Sequence, residues 1–412
     1  MRNLLRAVMS ATVAVSVVLT AACGSHTATG PVEPTEPAID LSKLDTGNMA
    51  TKPKAYGTAV NLDQAKALEA ERLANYLPLP ADIDPALQYP AAPATADIRT
   101  FVNFGSGAMA GRMDADPNAM NDAAKGFLSA FVTAGRSEKE EDLSYYLENV
   151  VLLFTDDTSA ADAAQALGRT EMAANSDDEQ ITVDGYPKAF AYVTNDEHSY
   201  QRGCLFSWYA TGRFVIYTRV IDSVMNTLKT RDLPKLVGHL QRSLEVIPPA
   251  LAKFPATPQD KLMELAIDPD RVIARALHTI LDDPGQAGIP GVYDLHGGLQ
   301  LVQGPDSAKL LGDAGVDRVA WKGNFLYRAR DAAGAALIVA DHSETSHTFI
   351  HADSPPNLPN AVCRKYIGPS FAAIPYYCFV WHDRYAAEVS AGQLQDAQQR
   401  ISAQYAMLVN PF

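Results

Sequence analysis

The chain repeats itself, and that repetition constrains its fold more than any other feature of the sequence. Residues 203–220 read GCLFSWYATGRFVIYTRV and residues 377–389 read YCFVWHDRYAAEV. Each stretch sets a cysteine (Cys204, Cys378) ahead of a tryptophan (Trp208, Trp381), then an Arg-aromatic pair (Arg213-Phe214, Arg384-Tyr385) and an apolar run. Two apolar runs around a short polar break predict a β-hairpin, turning near ATG in the first copy and near HD in the second. A helix follows both. Leu233, Leu236, Leu240, Leu244 and Ile247 share one 3-4-4-3 spacing with Leu394, Ala397, Ile401, Tyr405 and Leu408, the core face of an amphipathic helix.

Upstream, residues 149–167 correspond to 324–337: an apolar strand begins at an asparagine, an aspartate follows, then an alanine-rich stretch. In the first copy this stretch predicts a helix capped at Thr158 or Ser159. Further helices are expected at 120–135 and 305–315. The order helix, strand, helix, strands, helix thus occurs twice. It predicts the α+β class: two related domains, each an antiparallel sheet with helices packed on one face. Prolines cluster over 247–260, placing an N-terminal domain at 46–250 and a C-terminal domain at 251–412. An additional helix with Asn61 as its cap is expected in NLDQAKALEAERLANYL, joined to the first domain.

The N-terminus addresses location. Arg2 and Arg6 precede an apolar run from Ala7 to Leu19, too short for a bilayer needing ~20 apolar residues and suited to a secretory signal peptide over 1–22. Leu19-Thr20-Ala21-Ala22-Cys23 resembles a bacterial lipobox, although Thr20 stands where an aliphatic residue is usual. The resemblance implies cleavage before Cys23 after its sulfur has received diacylglycerol. The alternative is an ordinary signal peptide that leaves Cys23 a free thiol. Residues 23–45, rich in Thr, Pro and Glu, predict a flexible tether. Removing 1–22 leaves 32 basic against 48 acidic residues, moving the formal charge from −14 to −16. So acidic a body argues against nucleic acid and against anionic headgroups as partners.

Cys363 and Cys378 flank a short loop and would share an oxidising compartment, so they are expected to pair. A bond from Cys204 to either is the alternative, with metal binding by three dispersed cysteines a remote third, since no C-x-x-C occurs. Ala189 lies fifteen places before Cys204, where Cys363 precedes Cys378, so Cys204 is expected to be a buried free thiol.

Several segments together resemble one group of uncharacterised actinobacterial envelope lipoproteins: the lipobox and tether, LDTGNMATKP (44–53), EAERLA (69–74), DIDPAL (82–87), DPDRVIARAL and AGVD. The resemblance covers nearly the whole mature chain, implies an envelope lipoprotein of unknown function, and supplies no catalytic residue. The hairpin-plus-helix halves are also distantly similar to extracellular sensor modules of actinobacterial kinases, as a fold-level analogy.

Catalytic motifs are sparse. FGSGAMAG (104–111) lacks the spacing of a nucleophile elbow or a phosphate loop and reads as a turn. His342, His347 and His351, with Asp341, Glu344 and Asp353, offer metal-ligand chemistry, but HTFIH reads as a strand within a polar surface loop. The Asp-Asp pairs at 156–157, 177–178 and 282–283 lack calcium-loop spacing and read as caps and turns. His382-Asp383 falls at the variable turn of the repeat. No catalytic, metal or cofactor residue is therefore assigned. Two readings remain: a lipid-anchored, non-catalytic module binding a lipid, a glycolipid or an envelope protein, or an envelope hydrolase using His382-Asp383 or the 342–351 histidines.

Overall fold

The structure is a computed structural model, and it describes residues 36–91, 99–109, 111–279, 289–368 and 374–412. The signal peptide, Cys23, the start of the tether and the Asp-Asp pair at 282–283 lie outside the described residues.

The first half contains helices α1 (Leu62–Ala74), α2 (Pro80–Ile83), α3 (Pro117–Ala123), α4 (Asp157–Met172), α5 (Ser223–Leu228) and α6 (Leu233–Leu251). Its strands are β1 (Tyr89–Pro90), β2 (Thr100–Phe101), β3 (Phe127–Arg136), β4 (Tyr145–Phe154), β5 (Asp178–Ile181), β6 (Phe190–Thr194), β7 (Cys204–Thr211) and β8 (Phe214–Asp222). They form an antiparallel sheet in the order β1-β3-β4-β8-β7-β6-β5, with β2 paired to β3. The second half contains strands β9 (Gly291–Tyr293), β10 (Arg318–Trp321), β11 (Phe325–Arg328), β12 (Phe349–Ala352), β13 (Val362–Tyr366), β14 (Tyr376–His382) and β15 (Tyr385–Ala391). Its helices are α7 (Leu295–Leu299), α8 (Ser307–Asp313), α9 (Ala332–His342) and α10 (Leu394–Val409). Here the order is β12-β13-β14-β15-β11-β10-β9, the same arrangement written from the other edge.

The two halves are thus α+β with antiparallel sheets, but the helices cover both faces of each sheet rather than one. Alternate residues of β4 show why. Leu147, Val151 and Leu153 join Leu236, Leu240, Leu244 and Ile247 of α6 in one core, while Val150, Leu152 and Phe154 join Ala160, Ala163, Ala164 and Leu167 of α4 in another. In the second half, Cys378, Val380, Ala387 and Val389 pack on Ala397, Ile401 and Tyr405 of α10, and Phe379 and Ala386 on Ala335 and Ile338 of α9. A strand buried on both sides loses the apolar-polar alternation that would distinguish its two faces.

The same cause explains a second correction. The helix expected at 120–135 ends at Ala123, and β3 occupies most of the rest. Gly126, at φ +81°, turns the chain between them. Eight consecutive buried residues in β3, several of them small, read as a buried helix when periodicity alone is used. The α4 cap is Asp156 rather than Thr158 or Ser159: its carboxylate accepts the Ser159 backbone N–H at 2.8 Å. Asn61 caps α1 as expected, accepting from Gln64 N at 2.8 Å.

The hairpins are equivalent through their turns. Gly212 (φ +52°) and Asp383 (φ +49°) each take the left-handed position, and the arginine after each reaches a neighbouring strand end. Arg213 Nε donates to Phe154 O at 2.9 Å, and Arg384 Nε to Ala329 O at 2.7 Å. Phe154 N and Ala329 N donate back to the carbonyls of Arg213 and Arg384. Counting from these turns corrects the sequence register. Cys204 and Cys378 are not counterparts, nor are Trp208 and Trp381. Cys378 pairs across the sheet with Cys363, and the corresponding cross-strand pair in the first half is Ser207 with Ala191, not a pair involving Ala189.

Cys363 and Cys378 form a disulfide, and Cys204 is buried and free. Burial pushes the Cys204 thiol up, and Asn226 Nδ2 lies 3.5 Å from its sulfur. The tether reading does not hold from residue 36 onward. Residues 36–45 lie on the second half: Glu36 meets His382 and Tyr405, Leu44 enters the α10 core, and Asp45 accepts from Gln399 at 2.9 Å. Contacts continue past residue 45, with Asn410 Nδ2 donating to Thr51 O at 2.9 Å and Lys322 Nζ to the Tyr56 hydroxyl at 2.8 Å.

Replacing Cys363 and Cys378 together by serine should lower stability by ~3 kcal/mol, the entropy of a loop of about 15 residues. The free energy of chemical denaturation checks this, and a variant as stable as the parent would count against it.

Candidate functional site

Helix α1 belongs to the first half but has a second neighbour. Leu68, Glu71, Arg72 and Asn75 recur at helical spacing on one face, and that face lines a cleft of about 440 Å³. Opposite stand Leu265, Ala266, Ile267, Pro269 and Asp270 of the segment joining the halves, Val292 to Asp294 around the end of β9, and Arg318 at the start of β10. Close approach is possible because residue 291 is glycine. A Cβ there would sit 2.7 Å from both the Glu71 carboxyl carbon and the Tyr293 hydroxyl.

Glu71 is 3 % exposed, and its Oε1 has no hydrogen-bond partner among the described residues. Burial pushes its carboxyl well above the ordinary 4.5, and the Val292 backbone N–H offsets only part of that. A buried acid without a cationic partner keeps its proton, since the charged form would lose its hydration. Two arginines nearer the rim are paired in place. Arg318 Nε donates to Asp270 Oδ2 at 2.6 Å, and Arg72 is paired with Glu69. Glu69 also accepts Thr257 N at 2.6 Å, tying the joining segment to α1. Asp294 Oδ1 caps α7 through Gly297 N at 2.8 Å, and Asn75 Oδ1 accepts Asp294 N at 3.3 Å.

Polar groups of the second half also reach the carbonyls just beyond α1. Gln300, fully buried, donates Nε2 to Leu77 O at 2.9 Å and to Pro78 O at 3.2 Å. His296 Nε2 lies 2.6 Å from Leu77 O, so that nitrogen carries the proton, because a carbonyl can only accept. Gln303 Nε2 donates to Ala134 O on β3 at 2.8 Å. These contacts fix the cleft walls relative to each other.

A second polar cluster lies on the α4 face of the first sheet. Glu148 on β4 and Arg219 on β8 are register partners joined at 2.7 Å, and Arg112 approaches the other carboxylate oxygen at 3.4 Å. Burial alone would raise the Glu148 carboxyl, but Arg112, Arg219 and Arg99 outweigh it and hold the group below its usual value. Nearby, Glu171 accepts Asp114 N at 2.6 Å and Ala115 N at 3.3 Å, and burial pushes it up to about 7. The sequence signal for the ion pair was visible: a charge inside each of two otherwise apolar strands, YYLENVVLLF and FVIYTRVID. Glu71 and the cleft had no comparable signal, because α1 reads as an amphipathic helix with ordinary acids.

The singled-out histidines are dispersed. His342 closes α9, with Nδ1 3.4 Å from Glu388, and its ring packs against Tyr327 and Phe379. His347 and His351 are exposed at the edge strand β12, and among the described residues no group of three His, Cys, Asp or Glu is placed to hold a metal. His382 ends β14, and its Nδ1 lies 2.9 Å from Glu36 rather than against Asp383, which forms the turn.

The fold defines a tandem of two structurally repeated α+β halves meeting across a cleft. Residues 56–267 match the family model described as domain of unknown function (DUF7373) N-terminal, and residues 272–411 match its C-terminal counterpart. The chain belongs to this family. No curated protein matches it. Among solved structures, the extracellular domain of PknH from Mycobacterium tuberculosis is similar at 11 % identity over 45 % of this chain and 97 % of that one, with a TM-score of 0.29.

Two stability predictions follow from these carboxyls. Glu71 ionises at an ordinary 4.5 when unfolded but only at higher pH when folded, so the folded state holds the extra proton. Its contribution is fully present below 4.5 and is lost as pH rises, by up to ~1.4 kcal/mol per pH unit. Glu71→Gln should therefore flatten the profile, matching the parent near about pH 4 and exceeding it near about pH 8 in denaturant titrations. Parallel profiles would refute the neutral acid. Glu148→Gln should cost ~3–5 kcal/mol by stranding buried guanidiniums, and a loss below about 1 kcal/mol would mean that the pair is effectively solvated.

Proposed function

We propose that this protein is a lipid-anchored binding module on the extracytoplasmic face of a cell membrane, without catalytic activity of its own. The observation that carries the binding reading is the cleft between the halves, walled by α1 on one side and by β9 and β10 on the other. Sites between packed units, with a few convergent polar groups on an apolar lining, are where small ligands are usually held.

The location rests on two supports. The Leu19–Cys23 lipobox supplies a site for diacylglycerol on Cys23, and two acyl chains at about 0.8 kcal/mol per buried methylene give stable attachment. The Cys363–Cys378 disulfide fits an oxidising compartment. No helix among the described residues is long and apolar enough to cross a membrane. A contiguous ligand surface favours binding over the hydrolase reading, whose proposed residues face Glu36, Glu388 or solvent.

Cys23→Ala should move the protein from the membrane to the soluble fraction on cell fractionation. Retention in the membrane would overturn the lipid anchor. Native mass spectrometry of protein extracted from its own envelope should reveal a bound small molecule, and a mass matching the bare acylated chain would count against the binding reading.

A further inference from the structure

The cleft beside α1 carries more acid than it balances. Its lining holds three acids, Glu71, Asp270 and Asp294, against two bases, Arg72 and Arg318. Asp270 takes Arg318, and Glu69, which lies outside the lining, takes Arg72. Glu71 and Asp294 are left without a cationic partner among the described residues.

The two acids are held in step by the contact of α1 with β9. Glu71 accepts the Val292 N–H, and Asn75, one turn later on α1, accepts the Asp294 N–H at 3.3 Å. Four residues of helix advance about 6 Å and two of strand about 6.6 Å. Both bonds therefore form together and set Glu71 and Asp294 about one helical turn apart along the cleft.

The charge of a ligand follows from this imbalance. An anion would meet two carboxyls that have no counter-ion. A neutral molecule would strip water from the partly buried Asp294 and give its charge nothing in return. A cation supplies the counter-charge, and one with N–H groups also supplies the donor that the buried Glu71 Oε1 lacks. A metal ion fits less well, since among the described residues no three ligating side chains are gathered to hold one. Leu68, Leu265, Ile267, Pro269 and Val292 make the rest of the lining largely apolar, and about 440 Å³ is the size of a small-molecule site.

We infer that the cleft binds a small organic cation, a primary ammonium on an apolar body, with the ammonium beside Glu71 and near Asp294 and the body against Leu265, Ile267 and Val292. This rests on the binding-module reading above and names the ligand class for it.

Binding is coupled to a proton. The buried Glu71 carboxyl by itself keeps its proton, whereas the ammonium pairs with the carboxylate, so the proton leaves to water. Affinity therefore rises with pH through the Glu71 titration, by up to about tenfold per pH unit, until the amine loses its own charge near about pH 10. Groups on the other elements packed against α1 leave this coupling in place. Tyr293 stays a neutral phenol, Arg99 acts on Tyr293, and His296 donates to Leu77 O.

The test uses the full chain carrying Cys23→Ala, which removes the acyl anchor and leaves the cleft intact. Hexylamine is the probe, with hexanol, hexanoate and hexyltrimethylammonium as comparators, read by calorimetry and saturation-transfer NMR near about pH 8. Hexylamine should bind about tenfold or more tighter than each comparator. It should also release a proton, measured from binding enthalpies in buffers of different ionisation heat. Glu71→Gln should weaken hexylamine about tenfold or more and abolish the proton release, while leaving hexanol binding as in the parent. Asp294→Asn, which keeps a good cap on α7, should weaken hexylamine severalfold. Circular dichroism confirms that each variant is folded, and proton release by the parent needs no variant. The proposal is overturned if hexanol or hexanoate binds as well as hexylamine, if hexyltrimethylammonium does so without an N–H to offer, or if neither variant changes hexylamine affinity. An acid or an uncharged molecule copurifying with the native protein overturns the ammonium class but leaves the binding module standing. If no probe binds and nothing copurifies, both readings fall.

Discussion

The backbone carbonyls of Leu77 and Pro78, just past the end of α1, are the point on which the arrangement of the halves depends. Buried carbonyls must find donors, and here the donors are Gln300 and His296, more than two hundred residues away. Once these bonds form, β9 is held against α1, Gly291 sits over Glu71, and the joining segment is drawn to Glu69 and Arg72. The cleft is a consequence of this docking, since neither half contains both of its walls. The protonated state of Glu71 belongs to the same constraint, because the contact that hides it from water also denies it a counter-ion.

Within each half, the organising device is the hairpin turn followed by arginine. A left-handed residue tightens the turn, and the guanidinium after it secures the end of the adjoining strand. Both halves kept this device while changing what surrounds it. The first half fills the central cross-strand position with Ala191 and Ser207, and the second closes it with a disulfide. The halves also differ in the weight of their cores. The first has wide cores on both faces of its sheet and a buried Arg-Glu-Arg cluster, whereas the second has shorter strands and takes Leu44 into its α10 core.

The repeat was legible because its elements are amphipathic or punctuated. The 3-4-4-3 stripes of α6 and α10 lie inward apart from their first members, and the Arg-aromatic pairs begin β8 and β15 as read. Misreadings fell where burial is two-sided. β3 lost its period and passed for a helix, and the sheets were assigned one helical layer instead of two. The cysteine–tryptophan match was a coincidence of composition: counted from the turns, the cysteines stand three positions and the tryptophans two positions out of register. The richness of residues 23–45 in Thr, Pro and Glu predicts a flexible tether, yet Ile39, Leu41 and Leu44 within it are apolar enough to dock when a core offers them space.

By itself the sequence determined the class of fold, its duplication, and the pairing of Cys363 with Cys378 as the preferred bridge, all of which rest on periodicity and short separations along the chain. The tertiary structure decided the junction: which face of α1 meets β9, and which acid is buried without a counter-ion among the described residues. Those features arise between residues hundreds of positions apart, each of which is ordinary in its own segment. Local propensity and patterning record what a residue needs from its neighbours in sequence, whereas desolvation and unmet hydrogen bonds are set by whatever the fold brings against it.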